Sequence, residues 1–201
     1  MTRWTLTGTW LADNDYGEMF LNFPMHPDLQ KYCGIDLTRL FPELLEEGAD
    51  LLVGAWLRCA MGVTSSPYIC TQGALRAKQI IKGNRHDPNN TFQWEHLEKN
   101  LPCSTTYDAT RPAVRKVRKD GLTASEIVQY MDDARTLAAN EELSWLAQSK
   151  MAKTLCYLGL QDAARKRRMG SQRPGAWAGA VVSTDTGMVL KSVSKDRWVK
   201  T

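Results

Sequence analysis

The chain has 201 residues, 43% of them hydrophobic and 24% charged, with a formal net charge of +4 and a pI near 8.8. That is enough for one compact domain with a real core, and the modest positive surplus permits a polyanionic partner without requiring one. No apolar run is long enough to span a bilayer and the first ten residues lack the apolar core of a secretory signal, so no membrane partner is expected.

Five cysteines (Cys33, Cys59, Cys70, Cys103 and Cys156) are scattered, odd in number and without a C-x-x-C pair. His26, His86 and His96 show no ligand spacing with them. This pattern argues against a disulfide framework and a structural zinc, and for a reducing, intracellular compartment, with cytoplasm and nucleus both open.

In chain order, Thr5–Ala12 reads as a short strand, followed by the acidic stretch Asp13–Glu18 and an apolar, buried segment Met19–Met25. Glu43–Glu47 forms a short helix ended by Gly48, and Leu51–Cys59 is apolar and compatible with a strand. Ser65 or Ser66 can cap the next helix, Pro67 suits its first position, and Gly83 sits at its C-terminal end. Ile69, Leu75 and Ile80 are its expected buried stripe. Between Asn84 and Gly121 the pattern dissolves into a long insertion with one helical piece near Phe92–Asn100. Its basic cluster (Arg115, Lys116, Arg118 and Lys119) reads as a solvated face.

Glu126–Met131 and Ala134–Ala138 are two short runs of β-formers around Asp132-Asp133, either as a polar turn or as a site for a hard cation. Asn140 can cap the following helix, with Glu141 and Glu142 on its positive end and Leu143, Leu146, Met151, Leu155 and Leu158 as the apolar face. After Gly159 come the basic run Arg165–Arg168, a Gly/Pro break, and plausible strands Ala176–Val182 and Met188–Val193 around the turn Asp185–Gly187. Strands and helices alternate without βαβ spacing, which favours an α+β fold, an antiparallel sheet with helices on one face.

Four stretches taken in order, DYGEMFLNFPMHPD from Asp15, MGVTSSPYICTQ from Met61, YMDD from Tyr130 and GLQDAARK from Gly159, resemble the palm of a reverse transcriptase of retrotransposons and retroviruses. The resemblance implies a palm whose first part is residues 1–83, an insertion at 84–125, the YMDD hairpin with its following helix and the end of the palm at 126–182, and the start of a thumb, connection or tail at 183–201. It also implies RNA-directed DNA synthesis on an RNA or DNA template with a primer and deoxynucleoside triphosphates. Such joining is an in-line phosphoryl transfer, which two Mg²⁺ ions (or Mn²⁺) roughly 3.5–4 Å apart can assist.

By the same resemblance Asp15, Asp132 and Asp133 are the metal-binding and catalytic carboxylates, with Asp133 the weaker ligand because neighbours on extended backbone point to opposite sides. Tyr16, Tyr130 and Met131 flank them toward substrate. Phe20 lies under the incoming sugar and excludes a 2′-hydroxyl; its plain alternative is a core aromatic. Gln72 faces nucleotide or template, Gly62 lets the backbone approach the template, and Lys166 is a candidate proton donor to pyrophosphate. Trp177–Gly179 resembles the hairpin that grips the primer. Against the family pattern the chain is expected to lack a fingers segment, a full thumb and RNase H, as a piece of a retroelement polyprotein would. Asn14, Ala134 and Arg135 are more polar than the usual flanks. A nucleic-acid-binding remnant without turnover and an RNA-directed RNA polymerase palm are the alternatives.

Overall fold

The computed structural model describes residues 8–184 and 189–199. Strand β1 (Trp10–Asp15) is followed by the short helix α1 (Pro27–Gln30), strands β2 (Gly34–Asp36) and β3 (Val53–Ala55), and helix α2 (Ser66–Lys82). Strands β4 (His96–Lys99), β5 (Val114–Val117), β6 (Glu126–Tyr130) and β7 (Asp133–Ala138) precede helix α3 (Glu141–Tyr157). Strands β8 (Arg168–Ser171), β9 (Gly175–Trp177), β10 (Ala180–Ser183) and β11 (Leu190–Val193) and the single turn α4 (Lys195–Trp198) complete the order. The fold is mixed α+β, with several antiparallel sheets and few helices. Residues 18–72 form one compact unit and the remainder another.

The main sheet of the larger unit runs β6-β7-β1-β8, and all its pairings are antiparallel. Side chains alternate across a strand, so the β1–β7 register sorts residues by face. Leu11, Asp13 and Asp15 share one face with their partners Leu137, Arg135 and Asp133. Ala12 and Asn14 share the other with Thr136 and Ala134. Val182 of β10 packs on Leu11 and Leu137, which places the β11-β10-β9 sheet over the first face. Helix α3 packs across β1, β7 and β8. With both faces covered, β1 is buried from Leu11 to Asp15 and shows no polar alternation.

Helix α3 starts where Asn140 accepts a hydrogen bond from the Leu143 amide at 2.8 Å, a cap worth about 1 kcal/mol. Its buried side is Leu143, Ser144, Ala147, Gln148, Met151 and Leu155, while Leu146 is exposed and Leu158 only half-buried. Small and polar residues thus replace two of the expected leucines. The reason is close approach: a Cβ on Gly170 of β8 would lie 2.3 Å from Ser144 Oγ and 2.9 Å from Ser144 Cβ. Gln148 fills the gap by donating to the Asp13 and Arg168 carbonyls at 3.0 and 2.9 Å.

Helix α2 departs from its expected stripe in the same way. Its buried line is Cys70, Ala74, Ala77 and Ile81, while Leu75 and Ile80 are exposed and Ile69 is half-buried. The helix begins at Ser66, one residue before Pro67, the expected first position, and the buried Ser66 Oγ has no hydrogen-bond partner. The piece near Phe92–Asn100 is not helical: His96–Lys99 pairs with Val114–Val117, because Lys116 and Arg115 find carboxylates across and beside the hairpin. The basic cluster is therefore largely consumed internally. Lys116 and Lys82 both bind Glu126, Arg115 binds Glu98, and Arg118 binds Asp120.

Strand β1 starts at Trp10, later than the expected Thr5–Ala12, whose first three residues lie outside the described ones. The expected strand Ala176–Val182 is broken by a tight turn at Ala178-Gly179, both with positive φ (47° and 76°), which returns β10 along β9. The turn expected at Asp185–Gly187 lies outside the described residues. Within the 18–72 unit, the expected helix Glu43–Glu47 is a 3₁₀ turn at Pro42–Leu44, and Leu51–Cys59 contributes only Val53–Ala55 to a two-stranded sheet. Met19 and Met25 are buried, whereas Leu21 is exposed. No helix among the described residues is long and apolar enough to cross a membrane.

Candidate active site

Three rungs of the β1–β7 ladder change character along one sheet face. Leu11 and Leu137 form an apolar rung against Val182. Next, Asp13 and Arg135 form a buried ion pair, with Arg135 Nε and Nη2 donating to the two carboxylate oxygens at 2.5 and 2.8 Å. Arg135 is fully buried, its guanidinium lies 5.3 Å from the Trp177 ring centre, and it donates to the Gly175 carbonyl at 3.5 Å. The third rung sets Asp15 directly opposite Asp133. Like charges in that position repel, and a bound proton or a cation relieves the repulsion.

Two segments close around the end of β1. The Tyr16 amide donates to the Asp132 carbonyl at 2.9 Å, tying it to the tip of the β6–β7 hairpin. On the other side the Ala163 amide donates to the Asp15 carbonyl at 3.0 Å, Gly17 donates to Gln161 at 2.9 Å, and Tyr16 bridges Asp162. The 3₁₀ turn Ala164–Lys166 that follows carries the Lys166 ammonium to 3.0 and 3.2 Å from the two Asp15 carboxylate oxygens. The sequence separation is 151 residues, so only the fold joins them.

The electrostatics follow. Partial burial, then Asp132, Asp15 and Asp13 in that order, push the Asp133 carboxyl above the usual range, and Lys166 pulls it back in part. The hydrogen bond and charge of Asp15 push the Lys166 ammonium up. Burial raises the Tyr16 phenol to about 12.

The donor chemistry suits a hard divalent cation, being carboxylate oxygen throughout and mutually repulsive. Among the described residues, however, no group of three or more His, Cys, Asp or Glu side chains is arranged to hold a metal ion. Among the described residues, the cation paired with Asp15 is the Lys166 ammonium.

The other candidate residues divide by place. Tyr130 is 57% exposed on β6, and Met131 occupies the hairpin turn with φ 52°. Tyr16 is 1% exposed, so its ring serves the core rather than a surface. Phe20, Gly62 and Gln72 belong to the 18–72 unit: Phe20 is half-buried in the turn Met19–Asn22, Gly62 has φ 92° in an exposed turn, and Gln72 is exposed on α2. The register gives Asp133, not Asp132, the place opposite Asp15.

Sequence reasoning missed the Asp13–Arg135 pair and its second cation, Arg168, 3.6 Å from Asp13. The available signal was an arginine in a short run of β-formers, two residues from a carboxylate, matched by an aspartate two residues before Asp15. No protein-family model matches the chain, and no curated protein matches it either.

Proposed function

We propose that the chain is the palm-like core of an RNA-directed DNA polymerase, which transfers deoxynucleotides to a primer 3′-hydroxyl. The observation that carries this reading is the convergence of Asp15, Asp132, Asp133 and Lys166, from three distant parts of the chain, at one end of an antiparallel sheet. Their order and spacing resemble the reverse transcriptase motifs in the sequence, and their placement suits phosphoryl transfer.

Asp15, Asp132 and Asp133 would hold two Mg²⁺ ions, or Mn²⁺. The chemistry such ions would supply is activation of the attacking oxygen and stabilisation of the leaving pyrophosphate. The protein's own part is positioning. The ladder fixes Asp15 against Asp133, and the Tyr16–Asp132 backbone bond holds the hairpin tip beside them. Lys166, half-exposed and paired with Asp15, would hold a proton for the leaving group. The partners are template and primer, deoxynucleoside triphosphates and the rest of a retroelement polyprotein, in an intracellular setting.

The test is incorporation of a labelled deoxynucleotide into a DNA primer on an RNA template, with the chain compared to its Asp132→Asn/Asp133→Asn double variant. Mg²⁺-dependent extension by the wild type, lost at least about a hundredfold in the variant, is expected. Equal extension by both sinks the assignment. A second reading, a nucleic-acid-binding chain without turnover, is favoured by the Lys166–Asp15 ion pair. It expects primer–template binding that weakens with salt and is indifferent to the aspartate substitutions.

A further inference from the structure

At the end away from the carboxylates, the main sheet borders a cavity of about 180 Å³. Val114, Leu122, Leu137 and Ala138 give it an apolar floor, and Lys116 and Glu126 line one wall. All six belong to the larger unit. Leu137 lies four residues along β7 from Asp133, roughly 13 Å at the rise of a strand, so the cavity is separate from the carboxylate end.

Size limits what can enter. An apolar cavity of about 150 Å³ accepts benzene. This one has room for a single ring with one small substituent and none for a nucleotide.

The charge on the wall does not cancel. Glu126 is bound by Lys116 at 2.5 Å and by Lys82 at 2.6 Å, all three side chains being mostly buried. Lys78, one helical turn before Lys82, is half-buried on the same side of α2. Burial lowers the pKa of its ammonium, Glu126 opposes that shift and Lys116 reinforces it. Three ammoniums therefore share one carboxylate in partly dry surroundings, and positive charge is in surplus. Arg115, also in the lining, is spent on Thr123, the Gly121 carbonyl and Glu98. Lys116 is the member of the lysine group that lines the cavity.

We propose that this cavity binds a small apolar carboxylate of one ring, with the ring on the apolar floor and the carboxylate beside Lys116. A neutral ring would leave the surplus charge without a partner, and an amine would add to it. A carboxylate offsets it through charge-assisted hydrogen bonds, which are strong where water is scarce. The proposal is independent of the polymerase reading, since β7 lends the cavity only the end remote from Asp133.

Binding of benzoate, benzamide and benzylamine to the full chain, followed by broadening of the ligand's proton NMR lines, separates charge from size without any substitution. Benzoate is expected to bind at least about tenfold more tightly than benzamide, and benzylamine to show no saturation. Three variants, each checked for folding by circular dichroism, locate the site. Lys116→Met is expected to bring benzoate and benzamide within about twofold of each other. Leu122→Trp, which fills the cavity from a partly exposed position, is expected to weaken both at least about tenfold. Leu101→Trp, at a comparably exposed position outside the lining, is expected to change neither beyond about twofold. Equal binding of benzoate and benzamide by the unmodified chain would show a cavity without anion selectivity and overturn the proposal. So would the lack of saturable benzoate binding up to about 20 mM. A preference for benzoate unchanged by Lys116→Met, or binding unchanged by Leu122→Trp, would seat the ligand elsewhere and overturn it too.

Discussion

Met131 carries the β6–β7 hairpin through its turn at φ 52°, in the left-handed region where a side chain costs roughly 1–2 kcal/mol. The two-residue turn Met131-Asp132 needs positive φ at its first position, where glycine is the ordinary choice. Met131→Gly is accordingly expected to raise stability by about 1 kcal/mol in urea denaturation; a loss of stability would mean that methionine packing outweighs the backbone strain. Asp133 stores a second tension. Its folded-state pKa is raised, so its protonated form is favoured by folding. Stability is then lost as pH rises from the usual aspartate value, about 3.9, through the raised folded value. Asp133→Asn is expected to raise the urea midpoint at pH 7 while giving no gain near pH 3, and equal gains at both pH values would contradict this origin. Glu126 runs the opposite way. Burial opposes its ionisation, but Lys82 and Lys116 outweigh burial and hold its pKa down. Its contribution is present above the usual glutamate range and is lost as pH falls through the lowered value.

At the scale of elements, the β1–β7 register and the β9–β10 hairpin meet at Arg135. Removing one member of a buried ion pair leaves the other charged and unpartnered, at about 3–5 kcal/mol, whereas replacing both by apolar residues of similar volume is often neutral. Arg135→Met is therefore expected to destabilise strongly, and Asp13→Leu/Arg135→Met to recover most of the loss, as measured by urea midpoints. If the double variant is as unstable as the single one, the guanidinium's contacts with Gly175 and Trp177 carry the packing. Helix α3 offers a second case: Gly170→Ala forces Ser144 and its helix off β8, at an expected cost of about 1–3 kcal/mol.

These elements also show what the sequence could and could not reveal. The Asn140 cap and the two strands flanking Asp132 were legible because their signals lie within a few residues of each other, although the turn falls at Met131-Asp132 rather than Asp132-Asp133. The Asp13–Arg135 pair was not, since it depends on which residue of β7 faces which residue of β1. The same register moved Asp133, rather than Asp132, opposite Asp15. The stripes on α2 and α3 were misjudged for a related reason. Large apolar residues were assigned to the interior, but close packing there selected alanine, serine and cysteine. Near Phe92–Asn100, local propensity yielded to pairing with a strand fifteen or so residues further on.

For the whole molecule, the α+β class followed from the irregular alternation of strands and helices. The division into two compact units did not, because residues 18–72 carry no linker composition at either edge. The long insertion proved to be a hairpin and loop tied back to the main sheet through Glu126, so its basic residues stabilise the fold before they are available to any polyanion. The chemistry proposed for the chain would fall at the end of the sheet where Asp15, Asp132, Asp133 and Lys166 gather.

The measurement that tests this most directly is an anomalous-scattering map from crystals of the chain grown with Mn²⁺ and a deoxynucleoside triphosphate. The expected result is Mn²⁺ bound to carboxylate oxygens of Asp15 and the Asp132-Asp133 pair. A map with no metal there, from crystals in which the triphosphate is bound elsewhere, would contradict it.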